Sequence, residues 1–173
     1  MPKKLMREHK SSLFATILSE KENQLKVYNY LNHSDYTDTD EIEVTTIEEI
    51  LFIGRKNDAS FILDNVMNLY EHQSTYNPNM PLRGLFYFSE LYENYIIKHK
   101  LNIYGTKLLQ IPIPKYVIFY KGSMPAEAVT ELKLSDLFIR KDIEPDIEVR
   151  ATMICLNETD NVKKCEPLYG VSV

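Results

Sequence analysis

The chain has no tryptophan and only two cysteines in 173 residues. Cys155 and Cys165 lack CxxC spacing, so neither a disulfide framework nor a zinc site is expected, and a reducing cytoplasm is the simplest compartment. No run approaches the roughly 20 apolar residues that span a bilayer, which removes the membrane as an expected partner. The basic start, Met1 to Lys10, is not followed by an apolar stretch with a small-residue cleavage site and does not read as a signal peptide. Charge of one sign is also missing locally. Asp35 to Glu49 holds seven acids and no Lys or Arg, whereas Asn94 to Ala126 holds no acid and five lysines: Lys98, Lys100, Lys107, Lys115 and Lys121. The net charge of −5 argues against broad nonspecific binding of nucleic acid. A basic segment inside an acidic chain can still attract phosphate locally, although five solvated lysines would look the same.

The composition is that of a globular protein, 44% hydrophobic and 26% charged, and the length suits one domain over residues 1–173. Leu13, Phe14, Ile17 and Leu18 mark one apolar helix face. Ser19 to Glu22 fits a capping box, and a second helix then turns Leu25, Tyr28 and Leu31 inward until Asn32-His33 ends it. The acidic stretch has no period and reads as loop; Ile47–Ile53 reads as a strand stopped by Gly54. Pro81 suits the first turn of a helix over 82–98, with Leu82, Leu85, Phe86, Tyr92 and Ile96 on its buried side. Tyr116–Tyr120, wholly apolar between Pro114 and Gly122, reads as a central strand. Leu132–Phe138 reads as a short helix and Ile147–Leu156 as a last strand. This order defines an α/β (α+β) domain with a mixed sheet.

The segment from Lys56 to Ser74 is the most informative. Two strand-like runs flank Asp64-Asn65, and both residues tolerate positive φ, so a two-residue type I′ hairpin turn fits. Leu63 opposite Val66 then sets every further pair, bringing Asp58 opposite Glu71 and Lys56 opposite Gln73. Side chains two apart share a face, so these four form one polar patch. Opposed carboxylates about 5 Å apart repel by about 3 kcal/mol at an effective dielectric near 20. Water, a shared proton, a lysine or a divalent cation can offset that. Two carboxylates with room for waters and phosphate oxygens are what Mg²⁺ takes.

Leu69-Tyr-Glu-His-Gln-Ser-Thr75, preceded by Asn57-Asp58, resembles the "D … EhQ" motif of the recombination-promoting nuclease / putative transposase family, part of the PD-(D/E)XK superfamily. The segment from His9 to Leu18, carrying Phe14, resembles that family's opening helix. Arg83 with Phe86-Tyr87 resembles its arginine-bearing helix, and Pro114 to Gly122 its closing apolar strand. The resemblance implies a restriction-endonuclease-like core, a mixed central β-sheet flanked by helices, and Mg²⁺- or Mn²⁺-dependent cleavage of DNA. Asp58 and Glu71 would be the metal ligands, and Gln73 would stand where the superfamily has Lys. Catalytic roles would fall on Asp58, Glu71, Gln73 and Lys56. Arg83 and Tyr87 could bind substrate phosphate or equally pair with a nearby acid, and Lys115 and Lys121 of the basic segment would contact the DNA backbone. A homodimer that cuts both strands is compatible with this size.

The chain departs from the pattern in three ways. Gln73 carries no charge, although Lys56 could bring an ammonium to the same place. The opening helix lacks the early acid, with Lys10 or Ser11 nearest that position and Glu20 or Glu22 as substitutes. Family members often continue past the equivalent of Val173, so a C-terminal portion is expected to lie beyond it. These departures keep open a different reading, a nuclease-like module that binds or regulates without turnover. A third is a structural protein whose acids are merely solvated.

Overall fold

The computed structural model describes residues 13–45, 58–124 and 126–157. Residues 13–18 are helical and are followed by helix α1 (Lys21–Asn32) and a two-residue strand β1 (Glu43–Val44). The hairpin β2 (Ala59–Leu63) and β3 (Val66–Gln73) leads to α2 (Met80–Lys98), then β4 (Ile113–Tyr120), β5 (Val129–Lys133) and β6 (Arg150–Cys155). The six strands form one mixed sheet in the order β1-β2-β3-β4-β6-β5. The pairs β3–β4 and β4–β6 are parallel and the others antiparallel. No helix among the described residues is long and apolar enough to cross a membrane.

Period-two alternation splits the core into two layers. Met67, Leu69, Tyr116, Ile118 and Tyr120 face Met80, Tyr87, Phe88 and Leu91 of α2. Phe61, Leu63, Tyr70, Val117 and Phe119 face Leu18 and, on α1, Leu25, Tyr28 and Leu31. Strand β4, paired on both sides and covered on both faces, is the apolar run expected of a central parallel strand.

The turn has the expected chemistry. Asp64 and Asn65 both have positive φ, 49° and 58°, and Leu63 pairs with Val66 through to Ala59 with Tyr70. Asp64 also accepts a hydrogen bond from the Tyr36 hydroxyl at 3.0 Å. Left-handed backbone costs a side chain with a Cβ roughly 1–2 kcal/mol, most for a β-branched one. Asn65→Val should therefore lower unfolding free energy in urea by about that amount, while Asn65→Gly should leave it level or raised. Equal stability of the two variants would contradict this.

Elsewhere tertiary contacts override local signals. The capping box does not form: Ser19 Oγ donates to the Thr16 carbonyl at 2.8 Å, and Glu20 is an N-cap whose side chain makes no capping bond. The carbonyls ending the preceding helical segment draw in donors instead, with Asn23 Nδ2 on Ile17 O and Gln24 Nε2 on Leu18 O. Leu13 and Ile17 are exposed, so only part of the expected apolar face is buried. The acidic stretch read as loop contains a 3-10 turn (Thr39–Glu41) and β1. Helix α2 buries Met80, Gly84, Tyr87, Phe88 and Leu91, while Leu82 and Phe86 point outward. The segment read as a helix over 132–138 is the end of β5 followed by a 3-10 turn (Leu134–Leu137), because pairing with β6 outweighs its helical propensity. The expected strand at 47–53, Lys56 and Cys165 lie outside the described residues. Cys155 is buried, as expected of a small apolar residue.

Candidate active site

Glu71 is near the C-terminal end of β3, on the face that carries Met67 and Leu69 against α2, and alternation forces it into the same layer. It is 1% exposed. After β3, the Asn77 side chain accepts a bond from the Asn79 amide at 3.0 Å, and α2 starts at Met80. That tight return brings Arg83, in the first turns of α2, back onto Glu71. Arg83 Nη2 donates to Glu71 Oε2 at 2.9 Å and to the Tyr87 hydroxyl, one helical turn on, at 2.8 Å. Gln73 Nε2 donates to the same Glu71 oxygen at 3.3 Å. Glu71 Oε1 is buried and has no hydrogen-bond partner among the described residues.

Asp58 directly precedes β2, in the position that continues the hairpin register to a place opposite Glu71. Its Oδ2 accepts the His72 amide at 2.7 Å. Its charge raises the pKa values of Glu71, Tyr87 and Tyr116, which are on the α2 side of the sheet. His72 turns the other way, its ring 5.5 Å from that of Phe14.

The Glu71 carboxyl is pushed up to about 8, first by burial; Arg83 draws it down, Asp58 raises it, and hydrogen bonds from Gln73 and the Asp58 backbone lower it. Burial works against the charge on Arg83 as well, but Glu71 and Tyr87 hold its pKa above the ordinary value. Tyr116, which reads in the sequence only as a core aromatic of a central strand, belongs to the same cluster. Its hydroxyl is buried without a partner among the described residues, and burial lifts its pKa well above the usual range, with Glu71 adding to the rise.

The sign of the Glu71 shift fixes a pH dependence. An unfolded chain ionises this carboxyl near 4.5, so between that value and about 8 the folded state holds more protons. The Glu71 contribution to stability is complete below about pH 4.5 and is lost as pH rises through about 8. Among the described residues, Arg83, Asp58, Tyr87 and Tyr116 are the charged and titratable groups that act on it. Glu71→Gln carries no titrating proton, so its stability relative to wild type should climb between about pH 5 and about pH 8 in urea titrations. A difference that stays flat would contradict this assignment.

Other expected site residues lie apart. Lys115 lines a cavity of about 710 Å³ between α2 and strands β4–β6, together with Tyr92, Tyr116 and Arg150. Lys121 lines a smaller groove of about 280 Å³ with Leu13, Phe14, Ile17 and His72, on the face away from Glu71. Lys98 of the basic segment pairs with Glu43 at 2.7 Å, so part of the charge segregation cancels within the chain. Among the described residues no group of three or more His, Cys, Asp or Glu side chains is arranged to hold a metal ion. Glu20 and Glu22 are exposed. Two carboxylates nonetheless suit Mg²⁺, which binds through one or two of them and completes its shell with water and substrate phosphate. Glu71 Oε1, without a partner among the described residues, is an acceptor that such an ion could use. No family model, curated protein or solved structure matches this chain.

Proposed function

We propose that this domain is a metal-dependent endonuclease that hydrolyses DNA phosphodiesters, with a PD-(D/E)XK-type core. The observation that carries the proposal is the buried Glu71 carboxylate, one oxygen unpartnered, in the register position facing Asp58. Supporting it are the element order helix, three antiparallel strands, helix, parallel strand, with Asp58 directly before the second strand and Glu71 and Gln73 closing the third. The sequence resemblance of the Asp58 and Glu71-His72-Gln73 positions to the recombination-promoting nuclease family adds to this.

Asp58 and Glu71 would hold Mg²⁺ or Mn²⁺, and such an ion, when bound, lowers the pKa of a water and offsets charge on the phosphate. Gln73 has a donor and an acceptor and can orient that water. The forked donors of Arg83 match a phosphate, and Tyr87 steadies its guanidinium. Lys56 could add an ammonium beside Gln73, and the lysines of the 94–126 segment other than Lys98, which pairs with Glu43, and Lys121, which faces away from Glu71, would steer the DNA backbone. The test is nicking of supercoiled plasmid that requires Mg²⁺ or Mn²⁺, stops in excess EDTA and is lost in Glu71→Ala. Cleavage that persists in EDTA would refute it.

One observation favours a second reading. Arg83 already pairs with Glu71, and among the described residues no third acid joins Asp58 and Glu71, as in a nuclease-like module that binds or regulates without turnover. Absence of any thermal shift with Mg²⁺, Mn²⁺ or Ca²⁺, alone or with DNA, would select it.

A further inference from the structure

The Glu71–Arg83 pair has one shielded and one accessible member: the Glu71 side chain is 2% exposed and that of Arg83 37%. A cation arriving from solvent meets the guanidinium first: Glu71 Oε2 is already taken by Arg83 and Gln73, and Oε1, though without a partner among the described residues, is buried from solvent. Besides Glu71, the guanidinium is held by the Tyr87 hydroxyl and, through Nη1, by the Met80 sulfur at 3.3 Å, with its carbon 5.6 Å from the Tyr87 ring centre. Arginine binds phosphate through the same fork of donors it gives a carboxylate. A divalent cation held by only two carboxylates gains from a phosphate oxygen as a further ligand.

We infer that Arg83 is a latch that couples the two ligands of this site: it occupies Glu71 until a phosphodiester of the nucleic acid draws it away, and only then does Glu71 accept a divalent cation. The inference rests on the proposed cation role of Asp58 and Glu71 and adds the order in which the site fills. Arg83 is here a positioning residue for the cation and a ligand for the phosphate. By linkage, the cation in turn strengthens binding of the nucleic acid by the same factor, and couplings of this kind are about 5–150-fold.

The experiment is a set of thermal-shift titrations with Ca²⁺, an oxygen-seeking probe, with and without a short DNA duplex. Wild type, Arg83→Gln and Tyr87→Phe are compared, and Glu71→Gln supplies the baseline for Ca²⁺ that binds the duplex itself. Wild type should show a Glu71-dependent Ca²⁺ shift only with duplex present. Arg83→Gln should show it without duplex, at a Ca²⁺ concentration about tenfold or more below that needed by wild type. Tyr87→Phe keeps the ion pair and removes one support of the guanidinium, so it tests the latch even if Arg83→Gln unfolds; it should fall between the two. A wild-type shift equal with and without duplex would overturn the latch and leave the cation site standing. A duplex requirement that survives in both variants would also overturn it. No Glu71-dependent shift in any protein, with or without duplex, would remove the latch together with the reading on which it rests.

Discussion

Glu71→Ala should abolish Mg²⁺-dependent nicking of plasmid DNA, by at least about a hundredfold, while leaving the circular dichroism of the folded domain intact. Loss of one preorganised group that stabilises transition-state charge commonly costs about 10²–10³ in rate. Glu71 would be such a group through the ion it holds. The fold should survive because the substitution also removes the only buried acid of that layer among the described residues, and Arg83, being half-exposed, can turn its charge to water. Asp58→Asn should act in the same direction but with some loss of stability, since Asp58 Oδ2 holds the His72 amide at the end of β3. An active Glu71→Ala protein would end the nuclease proposal whatever Asp58→Asn did.

The second large effect is on stability alone. Gly84→Val should lower the melting temperature sharply, equivalent to about 1–3 kcal/mol or more. Gly84 is on the buried face of α2, and a Cβ there would lie 2.7 Å from two ring carbons of Tyr116 and 3.4 Å from a Val149 methyl. The Tyr116 ring is 4% exposed and packed edge-on against Phe88 at 6.1 Å, so displacing it disturbs that packing. Even Gly84→Ala should destabilise, although alanine favours a helix by about 1 kcal/mol over glycine. Pairing Gly84→Ala with Tyr116→Leu should recover stability that neither single change has, and a strictly additive double-mutant cycle would exclude the contact.

These two sites also mark what can be read from residues alone. The hairpin is legible because its determinants are local: two residues that accept positive φ, flanked by runs of period two, fix the pairing from Leu63 with Val66 to Ala59 with Tyr70. The buried face of α2 is not. The helix has apolar residues around most of its circumference, and the close approach of Gly84 to the Tyr116 ring, from a strand about thirty residues later, selects Gly84, Tyr87 and Leu91 over Leu82 and Phe86. The Arg83–Glu71 contact is similar. Both residues stand out by type, but whether Arg83 meets an acid or a phosphate depends on how the 74–79 return folds α2 onto the sheet. Strand β1 has two residues, too few for any period, and exists because β2 offers it an edge. Tyr116 looks like any core aromatic until its unpartnered hydroxyl is located beside the acid–arginine pair.

The Asp64-Asn65 bend implies an uneven tolerance to length change along the chain. One residue added there would shift β2 by a single step against β3 and turn Phe61 and Leu63 toward the wrong layer, with Asp58 carried away from Glu71. The stretch from Leu101 to Pro112, by contrast, has neither helix nor strand and leaves Ile103, Tyr104 and Leu108 in solvent. Residues inserted there need only extend the connection into β4, at an entropic cost that grows slowly with loop length. Natural variants and grafted tags should therefore accumulate in the second segment and be almost absent from the first.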